Sequence, residues 1–189
     1  SFWIKRTRLS NDIVFYALDG SQNTNIAFDS LTGLYMDVGG VGRVFKTDMT
    51  FNDQSSWYHI VIAHNTTDYS TVSAGQVKVY VNGTEQTFSE TANMSQGGDY
   101  AIGNAVQHTI GRDENADNNY ASFNLAEMHM VNGSQLTAAS FGETKGGVWI
   151  PIEYTGSHGT NGFHFTFADK SSNDALFNDD SANSNNFST

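Results

Sequence analysis

The sequence predicts an all-β protein, an antiparallel two-sheet β-sandwich with at most one short helix. Two runs of alternating residues, 57–63 and 76–88, have the period of two that half-buried strands require. Asn82 and Gly83 interrupt the second run, and an Asn-Gly pair favours the tight turn of a β-hairpin. The chain has 18 glycines and 1 proline, so its turns must rely on Gly, Asn, Asp and Ser.

The remaining elements are predicted from short apolar runs bounded by turn residues, as in other sandwiches. The predicted strands are residues 1–8, 13–18, 25–29, 34–38, 43–46, 57–64, 76–82, 85–89, 108–112, 122–131 and 163–168. One helix is expected at 136–142, with Thr137 as its cap and Gly142 as its stop. Residues 90–107 are polar and glycine-rich, and we expect them to form a long loop.

The charge of the chain argues against two classes of partner. There are 20 acidic and 9 basic residues, giving a formal net charge of -11. Phosphate backbones and anionic membrane surfaces attract clustered Lys and Arg, so we expect no nucleic acid partner and no membrane insertion. No apolar run approaches the ~20 residues that span a bilayer. The absence of cysteine excludes disulfides, thiolate nucleophiles and cysteine metal clusters.

The chain length suits one domain, because sandwiches of this size are often undivided. We place the domain at 1–169 and a polar tail or linker to a following segment at 170–189, where apolar residues are few. Residues 1–6 already form a strand-like run. We therefore expect the sequence to be an excerpt of a longer chain.

Several motifs occur in an order that matches a known superfamily. They are SFWIKR (1–6), WYHIV (57–61), VKVYVNG (77–83), IGR (110–112) and LAEMHMVNGSQLT (125–137). This series resembles the laminin-G-like branch of the concanavalin A-like lectin/glucanase superfamily. The resemblance implies a jelly roll. It also implies another strand before Phe2, so the N-terminal strand of the domain is expected to be missing.

The last third of the chain is similar to a narrower group. Its motifs are SFGE (140–143), GVWIP (147–151), YTG (154–156) and GTNGFHFTFAD (159–169). Such an ending resembles domains of phage tail-fibre and other virion-surface proteins. The resemblance implies a location on the virion surface or outside the cell.

The loop 112–120 is a candidate metal site. Asp113, Asn115 and Asp117 have the Asp-x-Asn-x-Asp spacing that wraps oxygen ligands around Ca²⁺. Asn118 and Asn124 stand where an EF-hand needs Gly and Glu, so that motif fails. A looser calcium site with ligands from another loop stays open, and a solvated Asn/Asp turn, the commoner case, is the alternative. We expect no other cofactor.

The same loop is the candidate carbohydrate site. Glycan binding needs an aromatic face for the C–H surface of a sugar and polar groups for its hydroxyls. Tyr120, with Arg112, Asp113, Asp117 and Asn119 beside it, is the best such group. A tyrosine that only caps the rim of the sandwich is the alternative.

Other aromatic residues are assigned by their local context. Tyr69 and Tyr100, on polar loops, are secondary carbohydrate candidates. Trp3 and Trp57 occupy strand positions and are expected in the core. Trp149 is expected to pack a connection against the sandwich.

Catalysis has little support in the sequence, and we expect no enzyme. A retaining glucanase needs two carboxylates about 5–5.5 Å apart, commonly from a Glu-x-Asp-x-x-Glu strand. Here Glu127 is followed by His129 and Asn132 at the other two positions. His59 and His64 face opposite sides of one strand, and no zinc spacing or catalytic triad can be argued.

The function predicted from the sequence is adhesion without catalysis. The domain would recognise host-surface glycans through its rim loops, as part of a phage tail fibre or another virion-surface protein. Its partners would be cell-surface glycans and neighbouring subunits of the same fibre or shell, in a homo-oligomer. The alternative is a structural or decoration domain of a fibre or capsid that binds no ligand.

Overall fold

The computed structural model describes residues 1–20, 22–113 and 120–188. In chain order the strands are β1 (Phe2–Arg6), β2 (Asp12–Leu18), β3 (Thr24–Phe28), β4 (Leu34–Val38), β5 (Gly42–Thr47), β6 (Tyr58–His64), β7 (Val77–Val81), β8 (Thr84–Glu85), β9 (Phe88–Thr91), β10 (Gln107–Ile110), β11 (Phe123–Ala126), β12 (Met128–Met130), β13 (Gly142–Lys145), β14 (Val148–Pro151) and β15 (Phe163–Phe165).

These strands form two large antiparallel sheets. The first sheet has the order β11-β1-β6-β7-β8, and the second has the order β10-β2-β3-β4-β5-β9. Two ribbons, β12–β15 and β13–β14, complete the structure. The predicted antiparallel two-sheet sandwich is therefore confirmed.

The core between the sheets follows from alternation along each strand. In β1, Phe2 and Ile4 are buried while Trp3 and Lys5 are half-buried. In β7, Val77, Val79 and Val81 all face the same core, as the period of two predicts. Residues of both sheets meet in one apolar cluster, which is the arrangement expected of a sandwich.

The predicted hairpin turn at Asn82 and Gly83 is present. Their φ angles are 47° and 82°, and Val81 pairs with Thr84 across the turn. Positive φ at both positions is the geometry for which Asn-Gly is selected. The Asn82 side chain also accepts a hydrogen bond from the amide of His59 at 2.8 Å, which fixes the turn against β6.

A third layer covers the outer face of the first sheet. Val61, Ala63 and Tyr80 pack there against Phe141, with Trp149 partly buried beside them. The β13–β14 ribbon carries Trp149, and its indole Nε1 donates to His59 Nδ1 at 2.9 Å. The expectation that Trp149 packs a connection against the sandwich is confirmed.

The indole of Trp149 leaves no room for a side chain at Gly142. A β-carbon there would lie 2.5 Å from Trp149 Cζ2, so we expect Gly142→Ala to lower the free energy of unfolding by about 1–3 kcal/mol. Urea denaturation measures this loss. The penalty should disappear when Gly142→Ala is made in a Trp149→Ala background, and an equal loss in both backgrounds would contradict the steric explanation.

Residue 127 divides the single strand that was predicted at 122–131. Glu127 has a φ of 48°, a left-handed conformation that an extended strand does not contain. Residues before it pair with β1 and residues after it pair with β15. The prediction of one continuous strand is wrong here, because a change of partner needs a break in the backbone.

Helical structure in the described residues is limited to single turns. The helix predicted at 136–142 forms only as a 3₁₀ turn, Ala138–Ser140. Thr137 precedes it without a capping side-chain hydrogen bond, and Gly142 begins β13 and does not end a helix. Two further turns, Val72–Gln76 and Asp174–Phe177, were not expected.

Residues 170–188 were expected to be a polar tail or linker, but they pack on the domain. Phe177 and Phe187 contact the ring of Phe165, with centroids 6.1 and 5.0 Å away. The Asp179 carboxylate accepts the amide of His164 at 2.8 Å. Two phenylalanines and several hydrogen bonds to residues 162–166 hold this segment against the domain, although its composition is otherwise polar. The boundary at 169 stays a prediction.

Within the described parts of the chain, no helix has the length and apolar character needed to cross a membrane.

Candidate functional site

The predicted binding loop connects β10 to β11. Its base is closed by a hydrogen bond from the Ala121 amide to the Gly111 carbonyl at 2.8 Å. Arg112 and Tyr120 are the neighbours of these two residues in the chain, so the structure brings Arg112, Asp113 and Tyr120 to one end of the sandwich. The candidate residues Asn115, Asp117 and Asn119 lie outside the described residues.

Tyr120 is an exposed aromatic residue with an anchored backbone. Its side chain is 58% exposed. Its carbonyl oxygen accepts from the guanidinium of Arg8, which also donates to Asp12 Oδ1 at 3.1 Å. The backbone that carries the ring is therefore held by Arg8, and the ring itself is largely exposed to solvent.

The calcium prediction stays a prediction, since Asp113 is the only one of its three candidate ligands within the described residues.

The carboxylate of Asp179, near the C-terminus, has a structural role. Asp179 Oδ2 accepts from the Asn185 amide at 2.8 Å and from Ser181 Oγ at 2.9 Å. This carboxylate organises the turn at residues 179–185.

The secondary aromatic candidates differ in exposure. Tyr100 is only 9% exposed, and its hydroxyl accepts from the Ser95 amide at 2.9 Å, so it is a packing residue. Trp57 is 41% exposed and precedes β6, which corrects its expected place in the core. Trp3 stacks on His59 at 4.9 Å between ring centroids and faces the outer side of the first sheet.

A cluster that the sequence did not predict lies on the β12–β15 ribbon. His129 and His164 are cross-strand partners, and their rings stack with centroids 3.8 Å apart. Glu127 Oε2 lies 2.9 Å from His164 Nε2. His158 joins the group through a hydrogen bond between its Nε2 and His129 Nδ1 at 3.1 Å. We call these four residues the histidine–glutamate cluster.

The cluster sits on the outer face of the ribbon because strand side chains alternate. Met128, Met130, Phe163 and Phe165 point into the core between the sheets. His129 and His164 therefore point the other way.

The buried imidazoles of this region are held neutral by their surroundings. His129 is 8% exposed, and burial lowers its pKa to about 2. Burial also lowers the pKa of His158. A neutral imidazole keeps one ring nitrogen with a free lone pair, which is the form that accepts a hydrogen bond or binds a metal.

Glu127 is paired with a histidine here and not with a second carboxylate. It belongs to a group whose donor atoms lie within 4.8 Å of one another, and the other two members are His129 and His164. A retaining glucanase mechanism needs two carboxyl groups. The expectation that the chain is not an enzyme stays a prediction.

A cavity of about 480 Å³ opens between the end of β6 and β12. Its inner wall is apolar, with Phe15, Ile26 and Met36 among its lining residues. A polar rim residue, Gln135, already donates to the carbonyls of Ala63 and Gly75. Thr66, Asp68 and Asn132 also line the cavity, so its walls combine apolar and polar side chains.

Comparison with known proteins identifies one family. Residues 1–141 match a laminin G-type family model described as the concanavalin A-like lectin/glucanases superfamily. This match covers both large sheets and ends before β13. No curated protein sequence matches the chain.

Proposed function

Because the chain belongs to the concanavalin A-like lectin/glucanase superfamily, we propose that it is a non-catalytic module that binds glycans at the loop 112–120. A domain of this superfamily fits a carbohydrate-binding module. The observation that carries the proposal is the exposed ring of Tyr120 at the closed base of the loop.

The chemistry around Tyr120 suits a sugar. An aromatic face covers the C–H surface of a pyranose, and nearby charged and amide groups bind its hydroxyls. Arg8 and Arg112 supply donors, and Asp113 supplies acceptors. Such contacts give weak affinity at one site, which several copies on one particle raise by effective concentration.

The biological setting that we propose is a phage tail fibre or another virion-surface protein, with a homo-oligomer presenting the loops to host glycans. The resemblance of residues 140–169 to virion-surface domains supports this setting. The net charge of -11 favours a neutral glycan over an anionic one, because like charges repel.

Replacing Tyr120 tests the site. We expect Tyr120→Ala to weaken glycan binding about tenfold, a loss near 1.4 kcal/mol, because the stacking face is removed. Tyr120→Phe should retain most of the affinity, since the ring remains. The measurement is binding of the multimerised domain to an array of defined oligosaccharides, followed by calorimetric titration with the strongest binder.

Leu31→Ala is the matched control, because Leu31 is 65% exposed on a different turn. It should bind like the unmodified protein. Equal binding by Tyr120→Ala would move the site away from this loop. If the multimerised domain binds no glycan on the array and no host cells, the structural module without a ligand becomes the better explanation.

A further inference from the structure

The histidine–glutamate cluster has the composition of a transition-metal site. We propose that Glu127, His129 and His164 bind one divalent ion of the Zn²⁺ class. The inference does not depend on glycan recognition, because Tyr120 lies beside Arg8, beyond the C-terminal end of β1, whereas His129 exchanges backbone hydrogen bonds with Ser1 at the other end of that strand.

Two features of the backbone bring these three residues together. The register of the β12–β15 ribbon places His129 opposite His164, with both imidazoles on the outer face. The left-handed conformation of Glu127 ends the pairing with β1. The Glu127 carboxylate, directly before this ribbon, lies 2.9 Å from His164 Nε2.

The distances between the donor atoms are close to those of a bound ion. Each residue offers one donor atom, and all three lie within 4.8 Å of one another. Ligands of a tetrahedral Zn²⁺ at 2.0–2.1 Å are about 3.3 Å apart. The carboxylate–His164 pair is closer than this, at 2.9 Å, so binding an ion requires the side chains to rotate until all three donor atoms face it.

The surroundings of His129 resemble the support that metal-binding histidines receive. Its Nδ1 shares a hydrogen bond with His158 Nε2 at 3.1 Å, which leaves Nε2 as the nitrogen for an ion. Phe141 and Tyr154 pack against its ring, with centroids 5.3 and 6.1 Å away. The amide of His164 donates to Asp179 at 2.8 Å, which fixes the other strand of the ribbon.

The donor set selects the class of ion. Two imidazole nitrogens and one carboxylate oxygen suit Zn²⁺ and its neighbours, whereas Ca²⁺ needs six to eight oxygen ligands. The Glu127 side chain is 42% exposed and that of His164 is 20% exposed. Solvent therefore reaches the site, and a water molecule would complete the coordination.

The experiment is calorimetric titration of tag-free protein with Zn²⁺ after treatment with EDTA and buffer exchange. We expect one Zn²⁺ per chain and no competition from millimolar Ca²⁺. Titration with Co²⁺ gives a second readout, because four-coordinate Co²⁺ with nitrogen ligands absorbs visible light far more strongly than six-coordinate Co²⁺ bound to water and surface carboxylates.

Three variants locate the ion. We expect Glu127→Gln and His164→Gln each to weaken Zn²⁺ binding by at least about tenfold, which is the loss that even a supporting residue causes. Because His158 orients His129, we expect His158→Gln to weaken Zn²⁺ binding by about 10–100-fold. Glu143→Gln is the matched control, because Glu143 is an exposed carboxylate on β13, and it should bind Zn²⁺ normally.

Two results would overturn the proposal. One is the absence of heat and of a shift in melting temperature when Zn²⁺ is in tenfold excess. The other is Zn²⁺ binding that stays unchanged in both Glu127→Gln and His164→Gln. Circular dichroism of each variant establishes that a lost site is not a lost fold.

Discussion

Asp12→Asn is expected to lower the free energy of unfolding by about 3–5 kcal/mol, the cost of leaving a buried charge without its partner. Asp12 and Arg6 are 1% and 0% exposed, and Asp12 Oδ2 lies 3.7 Å from Arg6 Nη2. Burial already lowers the pKa of Arg6 from its usual value of 12.5. Asn keeps the shape of the side chain but removes the charge that offsets this guanidinium.

The contacts that remain cannot replace that charge. Arg6 Nη2 donates to the Ser10 carbonyl at 2.7 Å, and Nη1 donates to the Phe51 carbonyl at 3.3 Å. Its guanidinium also lies 4.7 Å from the centre of the Phe28 ring. These groups are neutral, so they satisfy hydrogen bonds without neutralising a cation.

Equilibrium urea denaturation at pH 7 measures the loss. Glu85→Gln is the control, because Glu85 lies 3.8 Å from Lys78 with both side chains largely exposed. Such a pair contributes roughly 0–1 kcal/mol. A loss for Asp12→Asn no larger than that of Glu85→Gln would show that the ion pair does not stabilise the fold.

Acid is expected to destabilise the protein through His59 as the pH falls below 6.5. His59 is 1% exposed, and burial lowers its pKa from 6.5 to about 3. Trp149 Nε1 donates to His59 Nδ1 at 2.9 Å, and an indole nitrogen can only donate. Nδ1 must therefore stay unprotonated in the folded state.

The sign of the effect follows from the two pKa values. Above pH 6.5 the imidazole is neutral in both states, and the stability is unaffected. Between pH 6.5 and about 3, His59 is protonated in the unfolded chain but stays neutral in the folded chain. The free energy of unfolding therefore decreases as the pH is lowered through this range. The loss approaches about 1.4 kcal/mol per pH unit.

The comparison is between the unmodified protein and His59→Gln, each denatured with urea at pH 7 and at pH 4.5 in EDTA. We expect the unmodified protein to lose roughly 3 kcal/mol more than the variant between these pH values. Other titrating groups are common to both proteins and cancel. Equal losses of unfolding free energy in the two proteins would mean that His59 does not cause the destabilisation by acid.

Local sequence was sufficient to predict most strands and turns of the sandwich. The valines of β7 and the Asn82-Gly83 turn were predicted because strand alternation and turn conformation depend on neighbouring residues. The β13–β14 hairpin was missed, although Gly146 and Gly147 have φ values of 61° and 81° and a Gly-Gly pair is a known turn signal. The break at Glu127 had no local signal, since Glu rarely adopts positive φ.

The candidate site was predictable only where it is contiguous in the chain. Arg112, Asp113 and Tyr120 belong to one loop, so their proximity follows from its closure. The histidine–glutamate cluster depends on the pairing of residues 128–130 with 163–165. Zinc motifs with short spacings describe ligands on one helix or turn, and ligands on two distant strands leave no such pattern.

The third layer over the first sheet limits what can reach that sheet from outside. Phe141, Trp149 and Tyr154 already occupy the outer surface around Val61 and Ala63. A ligand or another protein that approaches this side meets the aromatic side chains of the added layer and not the strands of the sheet itself.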